Sequence, residues 1–323
     1  MANVFVPDDI DFAQYEQETE AQRKVLPASL WVQQLIDRIQ NPVKAKHRLM
    51  PWKKTHGLLQ FRPGEVTVWA GANGQGKSMV TGMVALSLAA QGEKICIASF
   101  EMKPERTLER MGRQFAGMNP EAVAARGSEK SIKNLLDVYE QFRDWTDQRL
   151  WLYDQQGTVA WTNVCAVARY AAKVLGVTQI FIDSLMKCVQ GEDDYNGQKA
   201  FVDELTAIAR DYGVHIHLVH HIKKPANEEH APNKYDLKGT GAVSDLVDNV
   251  VLVWRNKVKE RKREENKLTE EDEVREPDTV LICDKQRNGE WEGKIGLWFD
   301  KPSQQFLGIH GADPLQLYVD PSE

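Results

Sequence analysis

At 323 residues, 42% of them hydrophobic and 27% charged, the chain is long enough for one large α/β core with a small appendage. A net charge of −6 and a pI near 5.8 exclude a global basic field, so any contact with a polyanion must come from local loops. No apolar run reaches membrane-spanning length, and the four cysteines (Cys96, Cys165, Cys188, Cys283) are scattered without a CxxC pair. That usage reads as reduced thiols in a cytoplasmic protein without a zinc site.

Residues 1–28 are acidic and lack periodicity, which predicts a loose arm; their first 25 lack the apolar core of a secretory leader. Over 29–40, Leu30, Trp31, Leu35, Ile36 and Ile39 recur at helical spacing before the Asn41-Pro42 stop, predicting a short amphipathic helix. A basic, turn-rich connector runs on to Lys54. Such a helix can fold back on its own domain or dock on a neighbouring copy.

From Gly64 onward strands and helices alternate. Strand-like runs fall at 65–70, 94–99, 149–153, 178–183 and 214–219, and helix-like stretches at 78–91, 104–117, 129–146, 161–175 and 196–212. The alternation predicts an α/β fold with a mainly parallel sheet covered on both faces, and ligands beyond the carboxyl ends of its strands. Shorter strand-rich segments at 249–255, 279–285, 293–299 and 303–308 predict antiparallel hairpins that extend the sheet. The run 256–276, dense in Lys, Arg and Glu, reads as a solvated loop or short charged helix.

Residues 71–78, Gly-Ala-Asn-Gly-Gln-Gly-Lys-Ser, form a complete phosphate-binding loop between a strand-like and a helix-like run, the setting that this motif requires. Gly71, Gly74 and Gly76 would let backbone N–H groups face a polyphosphate, with Asn73, Gln75 and Met79 completing the NTP-binding set. Lys77 would reach the β- and γ-phosphates and Ser78 would ligate Mg²⁺. Four further signals lie downstream. An apolar strand ends in Asp183, where a carboxylate can hold the Mg²⁺ water shell, and another ends near Glu101, which is either a base toward water or an ordinary helix-start carboxylate. His215, His217, His220 and His221 crowd one strand; carboxylates at metal spacing are missing nearby, and His221 or His220 at the tip would sense the γ-phosphate. Lys285 and Arg287 share a strand face before an Asn-Gly turn, either as a solvated basic pair or as a cationic finger.

Taken in order with Lys238-Gly239-Thr240-Gly241-Ala242 and Lys285-Gln286-Arg287-Asn288-Gly289, these signals resemble the RecA-like motor domain of hexameric replicative helicases of the DnaB type. The His-His tip and the Lys-Gly-Thr-Gly-Ala segment are more similar to phage primase-helicases and Twinkle helicase domains. The resemblance covers about residues 55–308, which leaves 29–54 as linker helix and connector and 309–323 as a tail. It implies a RecA-like P-loop NTPase core using ATP or another NTP with Mg²⁺. Lys77 would serve on phosphate, Glu101 as the catalytic carboxylate, and Ser78 and Asp183 on the metal. His221 would be the γ-phosphate sensor and Arg287 a finger donated in trans, with Lys285 beside it. Phe299 would lie against the base. The loop 222–241 would touch single-stranded DNA through Lys223, Lys224, Lys234, Lys238, Gly239 and Thr240.

The implied partners are single-stranded DNA, further copies of the chain in a ring, a hexamer by resemblance, and a separate primase or polymerase. The region before the motor is too short for the helical collar of DnaB-type proteins, so a stand-alone motor of a phage or mobile-element replication set is expected. The competing readings on the same fold are a recombinase, a KaiC-like switch, or a loading factor that does not unwind; the Lys-Gln-Arg-Asn-Gly run argues against the recombinase.

Overall fold

A computed structural model describes residues 27–41, 48–223 and 229–317, grouped into two compact units, Met1–His47 and Arg48–Glu323. The expected acidic arm lies outside the described residues up to position 26, and so do Lys224 and the last six residues of the expected tail. In the first unit, α1 (Ala28–Gln40) ends where the Asn41 backbone and side-chain amides both donate to Asp37 O. Its apolar stripe is open: Trp31, Leu35 and Ile39 are 51%, 52% and 77% exposed.

The second unit is built on a nine-stranded sheet in the order β3-β2-β4-β5-β1-β6-β7-β8-β9. The strands β1 (Val66–Gly71), β2 (Ile95–Ser99), β3 (Leu150–Tyr153), β4 (Gln179–Asp183), β5 (His215–His221) and β6 (Asn249–Arg255) run parallel. β7 (Thr279–Gln286), β8 (Gly293–Asp300) and β9 (Gln305–Leu307) continue it antiparallel, as the hairpin-like spacing predicts. The central strands are nearly continuous apolar runs because both sheet faces are covered. Val66, Val68, Ile216 and Leu218 point into one core, and Trp69, Phe181, Val219 and Val251 into the other. The first core is closed by α6 (Trp161–Lys173), α7 (Tyr195–Tyr212) and α8 (Ala242–Leu246), and the second by α2 (Lys77–Ala90), α3 (Pro104–Ala116) and α5 (Glu129–Thr146). Among the described residues no helix is long and apolar enough to cross a membrane.

Three features depart from the pattern read from sequence. A short helix, α4 (Pro120–Arg126), stands between α3 and α5, started by the Asn119 side chain accepting from Glu121 N and Ala122 N. β5 runs on to His221, two residues past the expected 219, so His220 and His221 extend to opposite faces. The charged segment 256–276 is not merely solvated. It folds as α9 (Lys257–Glu264) and α10 (Glu270–Arg275) around a fully buried Lys259. The Lys259 ammonium donates to Glu273 O and Glu276 O and pairs with Asp278 at 3.0 Å, which compensates its desolvation.

Candidate active site

The loop after β1 wraps the start of α2. Gly74 and Gly76 have φ of 75° and 87°, the left-handed region that the turn requires. Gly71 differs from the expectation that it opens the turn: it is the last residue of β1, and a Cβ there would stand 2.5 Å from Val253 O, so it serves close strand packing. Asn73 is exposed at the crest, while Gln75 is buried, its amide oxygen accepting from Arg255 N. Met79 and the Phe306 ring flank Gly76, the ring 3.3 Å from where a Cβ would sit. The Phe299 ring packs on Phe306 with centroids 5.1 Å apart, so Phe306, not Phe299, meets the loop.

Lys77 is 7% exposed, and its ammonium donates to Gly71 O at 2.9 Å and Ala72 O at 3.0 Å. Burial lowers its pKa, and the charges of Asp183 and Glu101 oppose that shift. Ser78 Oγ donates to Asp183 Oδ2 at 2.6 Å. Asp183 is buried at the carboxyl end of β4, and desolvation raises its pKa. This hydroxyl–carboxylate pair suits a hard divalent cation that keeps waters and takes further oxygens from a substrate phosphate. Among the described residues no cluster of three or more His, Cys, Asp or Glu forms an all-protein metal cage.

Glu101 lies two residues beyond β2. Its Oε1 accepts from Ser184 Oγ at 2.9 Å and lies 3.5 Å from His221 Nε2. The contact with His221, aided by Ser184 and the charge of Lys187, pulls its pKa down to about 2. The other ring nitrogen of His221, Nδ1, is 3.4 Å from Lys77 Nζ. The two tip histidines differ in what they face: His221 faces the loop, whereas His220 is buried on the opposite face against Lys238 O at 2.7 Å. His215 and His217 are structural. His217 Nδ1 accepts from Trp69 Nε1 at 3.1 Å, so its Nε2 carries the proton toward Gln179 Oε1 at 3.0 Å, and its ring stacks on Phe181. His215 lies between Arg62 O at 2.7 Å and the Thr67 hydroxyl at 2.8 Å.

Lys77, Ser78, Glu101, Asp183 and His221 thus converge on one cleft of about 1280 Å³. Lys285 and Arg287 do not join them. Lys285 Nζ caps the end of α8 through Ser244 O and Val247 O, both at 2.7 Å, and Arg287 pairs with Asp248 at 3.1 Å. Antiparallel pairing of Val250 with Lys285 carries both toward the amino ends of β1 and β6, away from the chain's own phosphate loop.

In the loop after β5, Lys223 is exposed and its N–H donates to Asp236 O at 2.7 Å. Lys234 is tied to Asp284, its N–H to the carboxylate and its ammonium to the carbonyl at 3.1 Å. Lys238 pairs with Glu192 and lines the cleft. Gly239 has φ 82°, and Thr240 N donates to Gln198 Oε1 at 3.1 Å. Among the residues that escaped the sequence reading are Ser184, directly after Asp183, which holds Glu101; Arg255, which reaches Gly74 O at 3.4 Å; and Gln304, in the turn before β9, which lines the cleft. Only Ser184, a polar residue next to a strand-end Asp, carried a local signal.

Comparison with known proteins bears on this arrangement. Residues 53–308 match the DnaB-like helicase C terminal domain family. A DNA helicase/primase of Enterobacteria phage T3 is 27% identical over 212 residues, a match covering 61% of this chain and 36% of that protein. Among solved structures, an ATPase domain superposes with a TM-score of 0.72 at 14% identity, over 89% of this chain and all of that one. A DnaB-like replicative helicase, solved in a study of its interactions with primase, superposes with a TM-score of 0.68 at 16% identity, over 88% of this chain and 67% of that one. At those identities the two structures speak to the fold, which is the RecA-like core of such helicases, with a mostly parallel sheet and antiparallel C-terminal strands.

Proposed function

The chain belongs to the DnaB-like helicase C terminal domain family, and from that premise we propose that it is an ATP-hydrolysing replicative DNA helicase that moves along single-stranded DNA as a ring, hydrolysing nucleotide between subunits. The observation that carries this reading is the position of His221, 3.4 Å from Lys77 Nζ and 3.5 Å from the Glu101 carboxylate, while its own carbonyl accepts from Lys238 N at 3.0 Å. A residue that touches both the phosphate-binding lysine and the hydrolytic carboxylate is bonded directly to the loop assigned to DNA.

Lys77 and the loop N–H groups bind the substrate phosphates, and Ser78 with Asp183 would hold Mg²⁺. The cation, when bound, neutralises charge that develops on the transferred phosphoryl group. Glu101, fixed by Ser184, orients the attacking water and accepts its proton. With His221 in contact its basicity is low, so movement of the imidazole toward a γ-phosphate would raise it. Arg287, remote from its own cleft, is the group offered to a neighbour's nucleotide, with Lys285 beside it. The open stripe of α1 supports docking on an adjacent subunit, and six copies is the proposed assembly. A separate primase or polymerase is the proposed protein partner.

The test combines turnover with and without single-stranded DNA, unwinding of a forked duplex, and mass measurement of the assembly with Mg-ATP. Stimulated turnover, unwinding and a closed oligomer are expected. DNA-stimulated turnover without unwinding, by an oligomer that forms rings, would instead favour a loading factor or switch on the same fold.

A further inference from the structure

Two loops border the cleft opposite the phosphate loop. One follows β4 and carries Lys187 to Glu192; the other follows β5 and returns through Leu237 to Thr240. Their connection runs through one side chain. Gln198, in the first turn of α7, is fully buried. Its amide nitrogen donates to Glu192 O at 2.9 Å and Gly191 O at 3.2 Å, and its amide oxygen accepts from Thr240 N at 3.1 Å. Gly239 is cut to fit: a Cβ there would stand 2.0 Å from Gln198 Oε1. Beside this contact Glu192 pairs with Lys238, and both side chains line the cleft with Lys77 and Glu101.

Each loop is also anchored to a different catalytic group. Lys238 N donates to His221 O, and Lys238 O meets His220 Nε2 at 2.7 Å. On the other side Lys187 N and Cys188 Sγ donate to Ser184 O, and the Ser184 hydroxyl holds Glu101. The path from His221 through Lys238, Thr240, Gln198 and Glu192 to Ser184 and Glu101 is therefore continuous. An exposed ion pair such as Glu192–Lys238 contributes little alone. A buried amide that satisfies three backbone groups is costly to break, because each would be left unpaired.

We propose that Gln198 is a positioning residue that makes the two loops move as one body, so that displacement of His221 by nucleotide reaches the 187–192 segment and the Ser184–Glu101 contact. This inference rests on the motor reading for its consequence, but the clasp itself needs no DNA. Coupling of this kind must bias both loops through one shared element, and Gln198 is that element here.

The experiment is hydrogen exchange of the full chain with and without a Mg-bound, non-hydrolysable ATP analogue that keeps a γ-phosphate, for wild type, Gln198→Leu and Gln198→Glu, alongside DNA-stimulated turnover of the wild type. Gln198→Leu removes all three bonds at similar volume. Gln198→Glu keeps an acceptor for Thr240 N but sets oxygens against Gly191 O and Glu192 O, so it remains informative if the leucine variant folds poorly. In the wild type, the Mg-bound analogue is expected to change protection at 188–192 and 238–241 together. In the variants the response at 188–192 is expected to shrink by about fivefold or more relative to that at 238–241. Parallel responses in a folded variant would overturn the clasp. Wild type without DNA-stimulated turnover would overturn the motor reading, while the exchange result would still decide the clasp.

Discussion

The imidazole of His221 lies 3.5 Å from the Glu101 carboxylate, which is also held by Ser184 at 2.9 Å. Glu101 is thus ionised at any ordinary pH, with its pKa near 2, and is fixed before substrate arrives. Glu101→Gln keeps the shape and the Ser184 bond but cannot take a proton. Its kcat should fall by about 10²–10⁴ while ATP binding persists, as a positioned base commonly contributes that much. Steady-state turnover and equilibrium ATP binding check this. A glutamine variant that turns over like wild type would remove Glu101 from the chemistry.

Arg287 is expected to act on a neighbour's nucleotide. Arg287→Ala should lower turnover by about 10³–10⁵, the range known for arginine fingers. The alanine also deprives the buried Asp248 of its guanidinium, although Asp248 Oδ2 still accepts from Val66 N at 3.0 Å. Arg287→Lys therefore separates the loss of charge at Asp248 from the loss of a bidentate donor on phosphate. Mixed rings of Arg287→Ala and Lys77→Ala subunits should regain part of the turnover at interfaces that pair an intact loop with an intact finger. Verified mixing without any recovery would place Arg287 outside a trans role.

Acid should weaken the fold through its buried histidines. Burial lowers the pKa of His215 to about 3, of His220 to about 4, and of His217 well below its ordinary value. The unfolded imidazoles take up protons near pH 6.5 and the folded ones do not, so this stability is present above that pH and is lost as pH falls below it. At pH 5.5 the three together should cost roughly 4 kcal/mol, from about 1.4 kcal/mol per pH unit and group. Urea midpoints at pH 7.5 and 5.5 measure it, and His217→Gln should flatten the difference by about a third on the same linkage. Equal stability at both pH values would mean that these rings admit protons in the folded state.

Much of this site was legible because its signals are contiguous. Residues 71–78 declare themselves within a short window and lend weight to the strand-end Asp183, whereas Glu101 stands between two readings until the resemblance chooses one. The four histidines were harder, since alternation shows that His215 and His217 share a face but not that Trp69 and Gln179 fix the proton of His217 while Arg62 O and the Thr67 hydroxyl hold His215. Gln198, Phe306 and Gln304 left no trace in sequence: each acts on a loop more than 40 positions away or on a turn whose only mark is an unremarkable glutamine. Lys259 shows the same limit, because a charge run reads as solvated until Asp278 and two carbonyls are seen around it.

Contacts to single-stranded DNA are the last expectation, and the geometry ranks the lysines unequally. Lys234 is occupied by Asp284 through both its backbone and its ammonium, whereas Lys223 is exposed and the Lys238 ammonium pairs, among the described residues, with the exposed Glu192. The log–log salt slope of affinity for single strands should therefore drop by about 1.4 in Lys223→Ala with Lys238→Ala, from roughly 0.7 per phosphate neutralised. Lys234→Ala should change it much less. Glu192→Gln frees Lys238 from its competitor, so affinity at low salt should rise and the slope should steepen. Fluorescence titrations of an oligo-dT across salt concentrations provide the readout. A slope that stays the same in the double variant would move the DNA path off these lysines, toward the 187–199 segment, where Lys187 and Lys199 supply the remaining positive charge.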